Sequence, residues 1–273
     1  MRIALRLCVS VVLCNLSVAF SLSALAAEGK TSYSATSPSI AQERSDANSQ
    51  AAHNQLITKA HAGIINIYFI GDSITRRWGA LDYPEFLANW NHNFHGWNAA
   101  DFGWGGDRTQ NMLWRLDHGE FDGVQPKIIA IQAGTNNLGD IEGDQAQIDS
   151  ISAGIKALID ASRARAPQAT IVVTGVFVRS DKPQYNAVIN GINSKLAALA
   201  DGNKLRFINL NDALADSNGQ LAKAMSVDGL HLSSQAYQLW ADALKPVFTA
   251  ILGAPAAIDH APPPTGDPSA RKG

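Results

Sequence analysis

The chain has 273 residues, with 22 basic against 24 acidic side chains and 46% hydrophobic content, a balance that suits one globular domain with a sizeable core. A formal charge of −2 supplies neither the basic footprint of a nucleic-acid binder nor a basic patch for a membrane surface. Both cysteines, Cys8 and Cys14, fall in the first segment, so a chain processed beyond it contains none, and disulfide and thiol chemistry are excluded.

That first segment has the grammar of an export signal. Met1–Arg6 is short and basic, Leu7–Ala26 is apolar, and Ala24-Leu25-Ala26 ends it with small residues at the positions a signal peptidase reads. An uncleaved anchor is the alternative, but the Ser and Asn content and the Ala-Leu-Ala end favour cleavage near Ala26. Residues 1–26 therefore read as a signal peptide and the mature protein as periplasmic or secreted, with no stable membrane insertion. Loss of Arg2 and Arg6 takes the charge from −2 to −4. Residues 27–55 are rich in Ser, Ala, Thr and Gln with few large apolar side chains, and are expected to form a flexible leader. At the other end, residues 254–273 contain Pro262-Pro-Pro-Thr-Gly-Asp-Pro268 and are expected to form a disordered tail. The folded domain is expected over 56–253, without internal repeats.

Within it, apolar β-type runs alternate with helical patterns. Strands are predicted at Ile64–Ile70, Asn98–Phe102, Lys127–Ala133, Thr170–Phe177 and Leu205–Asn209. Helices are predicted near Pro84–Trp90, Thr109–Leu116, Gln145–Arg165, Gln184–Leu199 and Ser233–Ile251. Ile148, Ile151, Ile155, Leu158 and Ile159 mark one apolar helix face, and Pro167 ends that helix. Five strands separated by helices predict an α/β, three-layer α/β/α sandwich on a doubly wound parallel sheet, for which a flavodoxin-like order suits the count.

The first strand stops at Gly71-Asp72-Ser73, placing a serine hydroxyl at the carboxyl edge of the sheet, where such folds build their sites. A serine needs a base within hydrogen-bond reach to act as a nucleophile. Of His61, His92, His95, His118 and His231, only His231 has a context suited to this task, Val227-Asp228-Gly-Leu-His231, in which Asp228 can hold one imidazole nitrogen. Taken alone, Asp228 also reads as a turn residue and His231 as a surface histidine. Two further loops follow strands. Phe102-Gly-Trp-Gly-Gly106-Asp107 can bring backbone N–H groups close to a ligand, and Ala133-Gly-Thr-Asn136 can present an amide. Each has an ordinary reading as a turn or a helix cap. No Gly-Lys-Ser/Thr follows the glycines, so they do not form a phosphate loop, and no Rossmann spacing is present. His92 and His95 lack a third partner at ligand spacing, so no metal or other cofactor is expected. Arg76-Arg77 reads as a solvated helix start, with contact to an anionic substrate as the weaker reading.

Together the blocks Gly71-Asp-Ser73-Ile, Gly105-Gly106-Asp107, Gly134-Thr-Asn136-Asn and Asp228-Gly-Leu-His231 resemble, in order, those of the SGNH, or GDSL-type, hydrolase superfamily. The run Phe102–Leu116 is similar to that of platelet-activating factor acetylhydrolase Ib catalytic subunits and their bacterial relatives. The resemblance spans about Ile64 to Phe248. It implies Ser73 as nucleophile, His231 as general base, Asp228 as its orienting carboxylate, and an oxyanion hole from the Ser73 and Gly106 N–H groups with the Asn136 side chain. Asp72 and Asp107 would brace the loops by accepting backbone hydrogen bonds. The acyl pocket would be bordered by Ile74, Thr135 and Leu230, leaving room for a short acyl group. Trp104, with Trp78 and Trp97, reads either as core or as a sugar-stacking wall. The expected function is an exported serine esterase removing acetyl groups from O-acetylated carbohydrate or another small ester. A lysophospholipase- or thioesterase-type lipid esterase and a noncatalytic carbohydrate-binding protein are the alternatives.

Overall fold

A computed structural model describes residues 37–270; the expected signal peptide lies outside the described residues. Five strands, β1 (Ile67–Gly71), β2 (Ala99–Asp101), β3 (Ile128–Gln132), β4 (Thr170–Thr174) and β5 (Leu205–Ile208), form one all-parallel sheet in the order β2-β1-β3-β4-β5. This is the flavodoxin-like order expected from the strand count. β2 to β5 each fall within a predicted run, and β1 runs one residue past its own, to Gly71. β1, β3 and β4 are buried at every position, as strands covered on both faces should be. Register pairs Ile67 with both Ala99 and Ile128, and Gly71 with Gln132, so β1 and β3 end at the same level.

The helices are α1 (Ala47–Ala60), α2 (Ser73–Gly79), α3 (Pro84–Phe94), α4 (Thr109–Asp117), α5 (Asp144–Arg165), α6 (Asn186–Leu199), α7 (Asn211–Leu214) and α8 (Ser234–Leu252). α3 packs on α2 and α8, while α5 packs on α4 and α6. Neighbouring side chains of β1 point to opposite faces and show the two layers directly. Phe69 meets Trp90, Phe94 and Phe248 of α3 and α8, whereas Tyr68 stacks on Phe102 at 4.0 Å and lies against Phe121. α5 buries Ile151, Ile155, Leu158 and Ile159, the stripe legible in the sequence, and Ser233 caps α8 by accepting from the Ala236 N–H.

Two expectations about the ends are corrected. From residue 37 the segment expected to be a flexible leader packs on the domain, and its residues 47–55 form the first part of α1, capped by Asp46. Its buried face is partly polar. His53 Nδ1 lies 2.7 Å from Glu120, Lys59 donates to the Asp101 carbonyl at 2.7 Å, and Ser49 Oγ accepts from the Trp104 indole at 3.0 Å. A composition test that counts apolar side chains passes over a helix docked in this way. The expected disordered tail is, through residue 270, a strap along the β2 side of the sheet. The Ile64 N–H donates to His260 O, Leu81 N–H to Thr265 O, and Ala256 N–H to Gly96 O, at 2.8 to 3.1 Å. Among the described residues no helix is long and apolar enough to cross a membrane.

Candidate active site

β1 delivers its last residues straight into the α2 N-terminus. Asp72 caps that helix by accepting from the Ile74 N–H at 2.8 Å, and Ser73, the first helical residue, stays half-buried at the sheet edge. The loop after β2 lies against this turn because Gly103 has no side chain; a Cβ there would fall 2.5 Å from the Arg76 nitrogen.

His231 arrives from the far end of the chain, on the turn that feeds α8. Asp228 Oδ1 accepts the Leu230 and His231 N–H groups at 3.1 and 2.8 Å, and Ser226 Oγ ties the same turn from inside. Its other oxygen lies 2.7 Å from His231 Nδ1, and His231 Nε2 lies 2.9 Å from Ser73 Oγ. A carboxylate only accepts, so in the neutral imidazole Nδ1 carries the proton and Nε2 is free to accept that of Ser73. Burial lowers the His231 pKa, the Asp228 hydrogen bond opposes this, and the Arg77 charge adds to the lowering; the net shift is downward. Burial raises the Asp228 pKa, but hydrogen bonds from His231 and Leu230 outweigh it and hold the carboxyl below its ordinary value. The geometry and charge favour an ionised Asp228, a neutral His231 and a hydroxyl aimed at its free nitrogen.

The three expected oxyanion donors stand at the mouth of the same edge. Neither the Ser73 nor the Gly106 N–H has an acceptor among the described residues. Gly106 sits at φ +77°, in the left-handed region that favours glycine. Asn136 lies on a short 3-10 turn after β3 (Thr135–Asn137) and donates to Asp107 O at 2.9 Å, which fixes its amide orientation and leaves its second N–H free. Asp72 braces its turn through a backbone N–H as expected, and its other oxygen has no partner among the described residues. Burial, offset in part by the Ile74 hydrogen bond, pushes its pKa up to about 7. Asp107 differs from expectation. Fully buried, it is held by side chains, Arg115 at 2.7 Å and Arg44 at 3.2 Å.

The expected substrate residues divide. Leu230 is half-buried at the mouth, but Ile74 and Thr135 are 1% and 2% exposed. Trp104 is also packed away, its indole N–H on Ser49 and the Arg76 guanidinium 4.8 Å from its ring centre. Trp78 stacks on both Tyr237 and Trp240 in the core, and Trp97 donates to Gly253 O. The sugar-stacking wall of Trp78, Trp97 and Trp104 is therefore corrected: all three are core, because their rings fill the space around α1, α2 and α8. His92 and His95 are exposed, and no group of three His, Cys, Asp or Glu side chains converges among the described residues.

The arginines are not simply solvated. Arg76 pairs with Asp82, and Arg77 reaches Asp228 Oδ2 at 3.5 Å while lying over the Tyr83 ring. Sequence reasoning passed over two others. Arg179 is buried, chelates Asp181 and sits 3.4 Å from Thr135 Oγ1; Arg44 comes from the supposed leader. Neither belongs to a motif, and only tertiary contact reveals them.

A family model described as the GDSL-like lipase/acylhydrolase family matches residues 69–239, and the chain belongs to that family. It is a hydrolase of the SGNH, or GDSL-type, superfamily. Over 239 residues it is 29% identical to platelet-activating factor acetylhydrolase IB subunit alpha1 of Bos taurus, covering 86% of this chain and 97% of that protein. The Homo sapiens alpha1 subunit is 30% identical over 208 residues, covering 74% of this chain and 84% of that protein. A solved GDSL-like lipase from Bacteroides thetaiotaomicron shares the fold with a TM-score of 0.57 at 19% identity, covering 74% of this chain and 99% of that one.

Proposed function

We propose that the protein is an exported serine esterase that removes acetyl groups from small or carbohydrate O-acetyl esters through an acyl-enzyme. The observation that carries this reading is the unbroken hydrogen-bond chain from Ser73 Oγ to His231 Nε2 and from His231 Nδ1 to Asp228. Ser73 Oγ attacks the ester carbonyl as its proton passes to His231 Nε2. The negative charge that develops on the carbonyl oxygen is met by the Ser73 and Gly106 N–H groups and the second N–H of Asn136. Collapse breaks the ester bond, and His231 returns the proton to the departing alcohol. Water, deprotonated by the same nitrogen, then releases the acid and restores Ser73.

A short acyl group is supported by the burial of Ile74 and Thr135, which leaves only Leu230 of the three expected pocket residues partly open. Relatives named acetylhydrolases point the same way. Export is supported by the basic, apolar and small-residue blocks of residues 1–26.

Ser73→Ala is expected to lower kcat on p-nitrophenyl acetate by about 10⁴-fold or more. Wild-type turnover in that variant would overturn the assignment. With the wild-type protein, kcat/KM across p-nitrophenyl acetate, butyrate and octanoate should fall with chain length. A rise toward octanoate replaces the acetyl reading with that of a lipid esterase.

A further inference from the structure

The Gly105–Gly106 peptide lies beside the nucleophile: a Cβ on Gly105 would sit 4.0 Å from that of Ser73. This one peptide carries both the Gly105 carbonyl and the Gly106 N–H. The described chain has no cis peptide bonds, so the two groups point in opposite directions. Arg44 Nη1 donates to the Gly105 carbonyl at 2.5 Å. Whatever holds that carbonyl therefore sets where the Gly106 N–H is aimed. We propose that Arg44, supplied by the N-terminal arm, is a positioning residue that locks this peptide with its N–H turned toward the developing oxyanion. The inference rests on the esterase reading above.

The lock has a physical need. Both flanking residues are glycines, so the plane can turn over about its two Cα atoms with little steric opposition. Turned over, it would present a carbonyl oxygen to an oxyanion, a like-charge contact where a donor is required. A hydrogen bond accepted by the carbonyl also polarises the peptide and makes its N–H a stronger donor. Arg44 is itself held on two sides. Asp46 Oδ2 accepts from its Nε at 3.1 Å while Asp46 Oδ1 caps α1, and Asp107 Oδ1 accepts from its Nη1 at 3.2 Å. Asp107 is in turn pinned by Arg115 at 2.7 Å. A charged chain thus runs from the α1 cap to the loop, and Arg44 lies outside the 69–239 stretch that the family model matches.

The test uses Arg44→Ala, Arg44→Gln and Arg44→Lys in the full-length protein, with exposed Glu43→Gln as the arm control and Ser73→Ala in the same p-nitrophenyl acetate assay. Arg44→Ala should lose about 10- to 100-fold in kcat with KM within about twofold, short of the 10²–10³-fold typical for deleting an oxyanion donor itself. Millimolar guanidinium ion should restore part of the loss, Arg44→Lys should retain more activity than Arg44→Ala, and Glu43→Gln should match wild type. Rescue separates positioning from a general loss of structure, and Arg44→Gln, which also lacks the guanidinium donor, is expected to lose kcat in the same way should the alanine variant fail to fold. The inference is overturned by wild-type kcat in any folded variant that lacks the Arg44 donor, or by a loss that tracks melting temperature and resists guanidinium. Turnover that survives Ser73→Ala would instead strike at the esterase reading beneath it.

Discussion

Arg77 and His231 show how one surface cation can tune a base it does not touch. Arg77 lies 3.5 Å from the same Asp228 oxygen that receives the imidazole N–H, and its charge adds to burial in lowering the His231 pKa. General-base catalysis needs the neutral imidazole, so the acid limb of kcat/KM is expected below pH 6.5, the ordinary value for histidine. Arg77→Gln should move that limb toward higher pH while leaving the alkaline plateau within about threefold. A pH–rate profile of the two proteins checks this, and an unmoved limb rules out the electrostatic role. That Ser73, Asp228 and His231 belong together was legible beforehand, because each sits in a short local pattern, Gly71-Asp72-Ser73 or Asp228-Gly-Leu-His231. Arg77 was visible as a residue, but its bearing on Asp228 was not, since 151 positions separate the pair.

At the scale of elements, the arm and the strap mark where composition misleads. Both lack the apolar density of a core segment, yet both are held by hydrogen bonds. The strap receives those of Ile64 and Leu81, and Asp259 accepts the Gly96 N–H at 2.6 Å. Its own His260 and Asp267 N–H groups return to Asn98 and Asp82. Each such bond contributes about 1 kcal/mol net, against the entropy of ordering the segment. Truncation after Gly253 is therefore expected to cost on the order of 2 kcal/mol, a fall in Tm of about 4–8 °C. Calorimetry of the truncated chain measures it; an unchanged Tm means the strap adds nothing to the fold. The strands and α5 posed no such difficulty, because continuous apolar runs and a 3.6-residue stripe are local properties that burial follows closely.

For the whole molecule, pH dependence of stability follows from carboxyl groups that folding has taken out of water. Asp72 is fully buried with one oxygen unpartnered among the described residues, and its folded pKa of about 7 lies above the ordinary 3.8. A raised carboxyl pKa means the protonated form suits the fold, so this contribution is complete below pH 3.8 and is lost as pH rises to about 7. Asp72→Asn keeps an acceptor for the Ile74 N–H and removes the buried charge. Its stability relative to wild type should improve between pH 5 and pH 8 by on the order of 2 kcal/mol, read from denaturant melts at the two pH values. Equal differences at both would show that Asp72 pays no penalty for ionising.

The sequence by itself determined the family, the five strands and the four ordered blocks, while the order β2-β1-β3-β4-β5, which the strand count only suited, came from the fold. Those features depend on runs, periods and spacings that lie within a few residues of one another. Tertiary structure alone decided that the tryptophans Trp78, Trp97 and Trp104 are core, that Asp107 is gripped by Arg44 and Arg115, and that the arm and strap belong to the domain. The reason is the same in each case. A polar side chain's role depends on which partner folding brings within about 3 Å, and for Arg44 that partner lies 61 positions away.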